Sequence, residues 1–118
     1  MAFTAEVIDH FEHPRHAGEV TDANVRVRVE NPVCGDVLEL TARVSGGRCE
    51  EVRFRAKGCV AAMAAGSVLA ECVLGSDIAG LQAVRPYHIS AALGGLPAES
   101  QHASHLAVQA LQQLIRAV

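Results

Sequence analysis

The sequence predicts an α+β domain built on a three-stranded antiparallel meander, on the strength of three observations. Val25-Arg26-Val27-Arg28-Val29-Glu30 alternates apolar and charged residues without a fault, the mark of a strand with one wet face. A second alternating run sets Leu38, Leu40, Ala42 and Val44 against Val37, Glu39, Thr41 and Arg43, and Gly46-Gly47 turns it into a third. Beyond that, the run from about Val60 to Leu74 is apolar on nearly every side, so it reads as a helix buried against the sheet.

Ahead of the strands, Thr4 is placed to cap a helix from Ala5 to about His13, with Val7, Ile8 and Phe11 on one face and Pro14 and Gly18 ending it. His10, His13 and His16 cluster there, but histidines near a helix end with no cysteine nearby read as solvated or capping groups. In the third strand Val52, Phe54 and Ala56 face one way and Cys49, Glu51, Arg53 and Arg55 the other. The alanines and Gly66 of the buried helix permit close approach, and Gly75 stops it. Asp77 to Ala83 reads as a further short helix, and Pro86 opens one running to Leu93, closed by Gly94-Gly95. Leu96 to Ser100 reads as loop. Ser104 is expected to cap a last helix with a core-facing stripe of Leu106, Ala107, Ala110, Leu111, Leu114, Ile115 and Val118, His102 falling just ahead of it and His105 just inside.

The chain of 118 residues, half of them hydrophobic, reads as one domain over residues 1–118. A net charge of −3 argues against a nucleic-acid face. Nothing reads as a signal peptide or a membrane span, so a cytoplasmic setting is expected. Four cysteines in a reducing compartment are ligands, reactive thiols or buried hydrophobes before they are disulfides.

Two of those thiols draw attention. Cys59 follows Lys57-Gly58 at the start of the buried helix, where unpaired N–H groups and the helix dipole favour a thiolate. Cys34 lies in Asn31-Pro32-Val33-Cys34-Gly35-Asp36, just before the second strand. The start of one antiparallel strand lies beside the end of its neighbour, so Cys34 and Cys59 meet at one end of the sheet. Cys49 falls at the other end, about 30 Å away by strand rise. Cys72 lies about 20 Å along the helix from Cys59. Both therefore read as structural or incidental. Two thiolates with Asp36 nearby suit zinc or iron, with imidazole a natural fourth donor, and thiolates also hold iron–sulfur clusters. A Cys–His–Asp hydrolase or thiol oxidoreductase finds no support, because the chain has neither a Cys-x-x-Cys pair nor a placed general base.

Four blocks occur in the order and spacing of one family: Val7 to Gly18, Asn31 to Asp36, Lys57-Gly58-Cys59 and Leu93-Gly94-Gly95-Leu96-Pro97. From about Phe3 to Val118 the chain resembles the IscU-type scaffold, or NifU N-terminal domain, of iron–sulfur cluster assembly. The resemblance implies a three-stranded antiparallel sheet with helices packed largely on one face. It also implies a non-enzymatic protein that transiently holds a [2Fe-2S] cluster or Zn2+. Cys34, Asp36 and Cys59 fall on the family's first cysteine, aspartate and second cysteine, and His102 on its histidine. The third cysteine is Ala103 here, the lysine before the histidine is Ser100, and the chaperone-recognition segment is reduced to Leu96-Pro97-Ala98-Glu99-Ser100. His105 is a spare imidazole one turn on. Implied partners are a cysteine desulfurase and cluster-acceptor proteins, with the dedicated chaperone put in doubt by the altered segment. Two function classes stay open. One is a scaffold that binds its cargo through Cys34, Asp36, Cys59 and His102. The other is a degenerate docking or regulatory module on a desulfurase or sibling scaffold.

Overall fold

A computed structural model describes residues 3–118 and shows four helices and three strands among them. They are α1 (Ala5–Glu12), β1 (Val25–Glu30), β2 (Val37–Ser45), β3 (Arg48–Lys57), α2 (Val60–Val73), α3 (Pro86–Ala92) and α4 (His102–Ala117). Short 3-10 turns at Ile78–Ala83 and Ala98–Ser100 join the last three helices.

The strands form one antiparallel meander in the order β1-β2-β3. Its register places Val29 against Leu38 and Leu38 against Ala56, so every valine of β1 is buried while its arginines face out. Gly46 and Gly47 both take positive φ, as the tight hairpin demands. A register shift at Arg43/Val44 corrects one expectation. Arg43 pairs with Glu51 but Val44 pairs with Cys49, leaving Glu50 as an extra residue in β3. That bulge flips the alternation, so Cys49 turns into the core instead of joining the arginine face.

The main core lies between the valine–leucine face of the sheet and the helices. Helix α2 stands directly on the sheet through Gly66, where a Cβ would come within 2.6 Å of the Phe54 ring. Helix α1 docks on α2 through a polar clasp. Thr4 caps α1 by accepting from the Val7 N–H (3.1 Å) and donates to the Leu93 carbonyl, and Val7 is buried while Ile8 stays exposed. The fully buried Ser67 hydroxyl meets His10 Nδ1 at 2.8 Å and accepts the Arg15 N–H at 2.9 Å. His10 is therefore a packing group. Burial, reinforced by Arg15, pulls its pKa below the ordinary histidine range, against the pull of Glu71 and Asp9. A group depressed in the folded state binds protons first in the unfolded chain, so stability is complete above the ordinary histidine range and falls as pH drops through the folded value. Urea melts across pH 7 to 5 should show this decline, and His10→Gln should flatten it; an equal slope in both chains would remove His10 as its source.

The opposite face of the sheet is not bare. Residues 18–24 cross it as a strap: the Val20 N–H bonds to Thr41 Oγ1 (2.8 Å), Glu19 pairs with Arg26 and Arg55, and Asp22 pairs with Arg43. Val20 is only 1% exposed although it lies outside the main core. Helix α4 also differs from expectation. It begins at His102, so Ser104 sits inside the first turn, where its hydroxyl bonds back to the Gln101 carbonyl at 2.8 Å rather than capping from outside. Leu106, Ala107, Ala110, Leu111 and Leu114 are buried as the stripe requires, whereas Val118 is exposed.

Candidate metal centre

Three chain segments converge at the rim where β2 starts and β3 ends. The first is the turn Asn31 to Asp36. Asn31 organises it by accepting the Val33 N–H on its side chain (2.9 Å) and the Gly35 N–H on its carbonyl (2.7 Å), while its own N–H bonds to the Asp36 carbonyl (2.8 Å). This local bonding lifts Cys34 to an exposed tip and turns Asp36 inward, where it is 5% exposed. The second segment is Gly58-Cys59. Gly58 takes a φ of +136°, and a Cβ there would lie 2.6 Å from the Asp36 carboxyl carbon, so glycine leaves the space that the carboxylate fills. Cys59 is the N-cap of α2, its sulfur accepting the Ala62 N–H at 3.4 Å. The third segment is the first residue of α4, His102.

Three of the four predicted donors, Cys34, Asp36 and His102, form one close group, and Cys59 adjoins it through Asp36 and His102. One donor atom each from Cys34, Asp36 and His102 lie within 4.8 Å of one another. Cys59 Sγ is 3.3 Å from Asp36 Oδ2 and 3.8 Å from His102 Nε2, and that nitrogen is 3.2 Å from the same carboxylate oxygen. Asp36 is thus the hub, accepting from the Cys59 thiol and facing the imidazole. Zinc–sulfur bonds of about 2.3 Å and zinc–nitrogen or zinc–oxygen bonds of about 2.0–2.1 Å put neighbouring tetrahedral donors roughly 3.3–3.8 Å apart. The spacing around Asp36, Cys59 and His102 matches that, so these three suit one tetrahedral ion. Cys34 groups with Asp36 and His102 but not with Cys59, and its exposed turn would have to close in to complete the set.

Electrostatics depart from the sequence reading at one point. Capping was expected to favour a Cys59 thiolate, yet burial pushes this thiol above its ordinary range; the Ala62 N–H opposes the shift and the Asp36 carboxylate adds to it. The metal-free thiol is a hydrogen-bond donor to Asp36, and a bound cation would have to displace its proton. Cys49 and Cys72 lie away from the rim, and burial raises both of their thiols too, in keeping with structural roles. His105 is exposed, and His10, His13 and His16 do not join the donor group. Ala103, beside His102, is 1% exposed and contributes only a methyl group to the core. The walling of Asp36 by Gly58 is a contact between distant segments that the sequence does not display.

A family model for the NifU-like N-terminal domain matches residues 2–117. The chain belongs to the NifU-like N-terminal domain family. Among its relatives is the iron-sulfur cluster assembly scaffold protein IscU 1 of Archaeoglobus fulgidus, 37% identical over 113 residues that cover 96% of this chain and 74% of that protein. Another is the iron-sulfur cluster assembly scaffold protein IscU of Escherichia coli K12, 36% identical with 98% and 92% covered. A crystal structure of a nitrogen-fixing NifU-like protein (N-terminal) from Brucella abortus superposes with a TM-score of 0.77 at 20% identity, covering 97% of this chain and 92% of that one. That likeness concerns the fold, and it shares the α+β arrangement of this NifU-like domain.

Proposed function

We propose that this NifU-like domain is a non-enzymatic scaffold in iron–sulfur cluster assembly, holding iron, a [2Fe-2S] cluster or zinc through Cys34, Asp36, Cys59 and His102. The observation that carries the reading is the convergence of these side chains from three distant segments on one rim, with Asp36 touching both Cys59 and His102. A docking surface alone has no physical use for a buried carboxylate shared between a thiol and an imidazole. The names of the relatives point the same way.

Each donor has a distinct part. Asp36, Cys59 and His102 are held by a glycine wall, a helix N-cap and a helix first turn, so they form the fixed side of the site. Cys34 rides on an exposed turn next to Val33, which is 94% exposed, and forms the side that a partner can reach. A cysteine desulfurase as sulfur donor and cluster-acceptor proteins as recipients are the partners this reading needs. A reducing cytoplasm is its natural setting, because the ligand thiols must stay unoxidised. No helix among the described residues is long and apolar enough to cross a membrane.

Anaerobic reconstitution with iron and sulfide, followed by metal and sulfide counts, tests the proposal. The parent chain is expected to take up metal stoichiometrically and Cys59→Ala to lose it, with at least a tenfold fall in affinity for zinc. A second reading draws on Ala103, where a buried methyl stands in place of a donor: the domain docks on a desulfurase or sibling scaffold without handling a cluster. Absence of bound metal under every loading condition would select that reading.

A further inference from the structure

The two edges of the sheet are treated differently. Along β3, His16 and Gly18 add a short parallel pairing, with the Phe54 N–H bonded to the His16 carbonyl and the Gly18 N–H to the Phe54 carbonyl, both at 2.9 Å. Along β1, among the described residues, the backbone makes no hydrogen bond beyond its ladder with β2. An unpaired edge is a template for another strand and is usually blunted by proline, a bulge, short length or charged side chains. β1 carries charges of both signs, which can oppose a like strand or pair with it according to register. β1 is six residues long, without proline, and the sheet's register shift lies in the β2–β3 pair.

We propose that β1 pairs antiparallel with β1 of a second copy of this chain, joining two sheets across a two-fold axis. Among the pairings that engage five of the six residues from Val25 to Glu30, the charges select one register. Keeping the valines on the helix side allows only pairings that advance by an even step. Centred on Arg28, the pairing sets Arg26 opposite Glu30 of the second copy and Val27 opposite its Val29, each twice. Only Arg28 then faces its own copy, and each Arg28 already carries its own Glu30 at 3.4 Å. Centred instead on Val27, it would set Arg26 against Arg28 twice, which cross-strand repulsion disfavours. The helix layer suits the same contact. Beside the β1 edge runs a polar groove of about 300 Å³ lined by Arg28, Glu30, Gln109, Gln112, Gln113 and Arg116. The three exposed glutamines of α4 present amides that both donate and accept, so that face can meet itself.

Sedimentation equilibrium of the full chain across a concentration series tests the pairing. The parent chain should form dimers, and Arg26→Glu and Glu30→Arg should each weaken association about tenfold or more, since each sets like charges opposite one another twice. Mixing the two variants should restore association as a heterodimer, because Glu at 26 and 30 then faces Arg at 26 and 30. Circular dichroism of each variant alone keeps loss of fold distinct from loss of pairing. A parent chain that stays monomeric throughout, or a mixture no more associated than its components, would overturn the proposal. So would an extended peptide held at the edge of a monomeric chain, which would replace the second copy as occupant.

Discussion

Gly58→Val is expected to abolish metal binding at the proposed site while leaving the helices and sheet in place. The residue sits at φ +136°, a region that β-branched side chains avoid, and a Cβ would meet the Asp36 carboxyl carbon at 2.6 Å. Holding valine there costs about 1–3 kcal/mol of backbone strain. The carboxylate must swing away to make room, taking with it the contacts at 3.3 Å to Cys59 and 3.2 Å to His102. Loss of such a hub should lower zinc affinity by about 10- to 100-fold, read by competition against a chromophoric chelator, with far-UV circular dichroism unchanged. If Gly58→Val bound zinc as the parent does, Asp36 would not be the organising donor.

Leu69→Ala should give the largest loss of stability. Leu69 lies on α2, is 0% exposed, and belongs to the core shared by the sheet and the helices. Truncation removes buried methyl groups and leaves a cavity that a close-packed, alanine-rich neighbourhood has few long side chains to refill. A cost of about 2–5 kcal/mol is expected, measured as a lowered urea midpoint at unchanged slope. A cost below about 1 kcal/mol would mean that α2 is less tightly seated than Gly66 over Phe54 implies.

Much of this architecture was legible in the sequence because its signals are local and periodic. The alternation of β1 and β2 fixed which face is buried, and the order of the strands fixed which loops share an end. That sufficed to bring Cys34 and Cys59, with Asp36 beside Cys34, to the same rim, and family likeness added His102. What escaped depends on partners distant in the chain. The extra residue Glu50 is defined only by the register of β3 against β2, so the inward turn of Cys49 could not be read from β3 alone. Ser104 is as good a capping residue as any, and only the turn Ala98–Ser100 feeding directly into α4 shows that the helix has already begun at His102. The Cys59 thiol was misjudged because the helix terminus is visible in sequence while its burial is not.

The strap over the outer face has a consequence for how the molecule comes together and comes apart. Its fastenings, at Thr41, Arg43 and Arg55, belong to strands that follow it in the chain. It cannot be tied down until the hairpin exists, so it is expected to be a late event in folding, with little share in the rate-limiting barrier. Because Val20 is sealed outside the main core, this segment is free to peel away as a unit of its own while the helical layer holds. Hydrogen exchange should then find its amides opening at a lower free energy than those of α2.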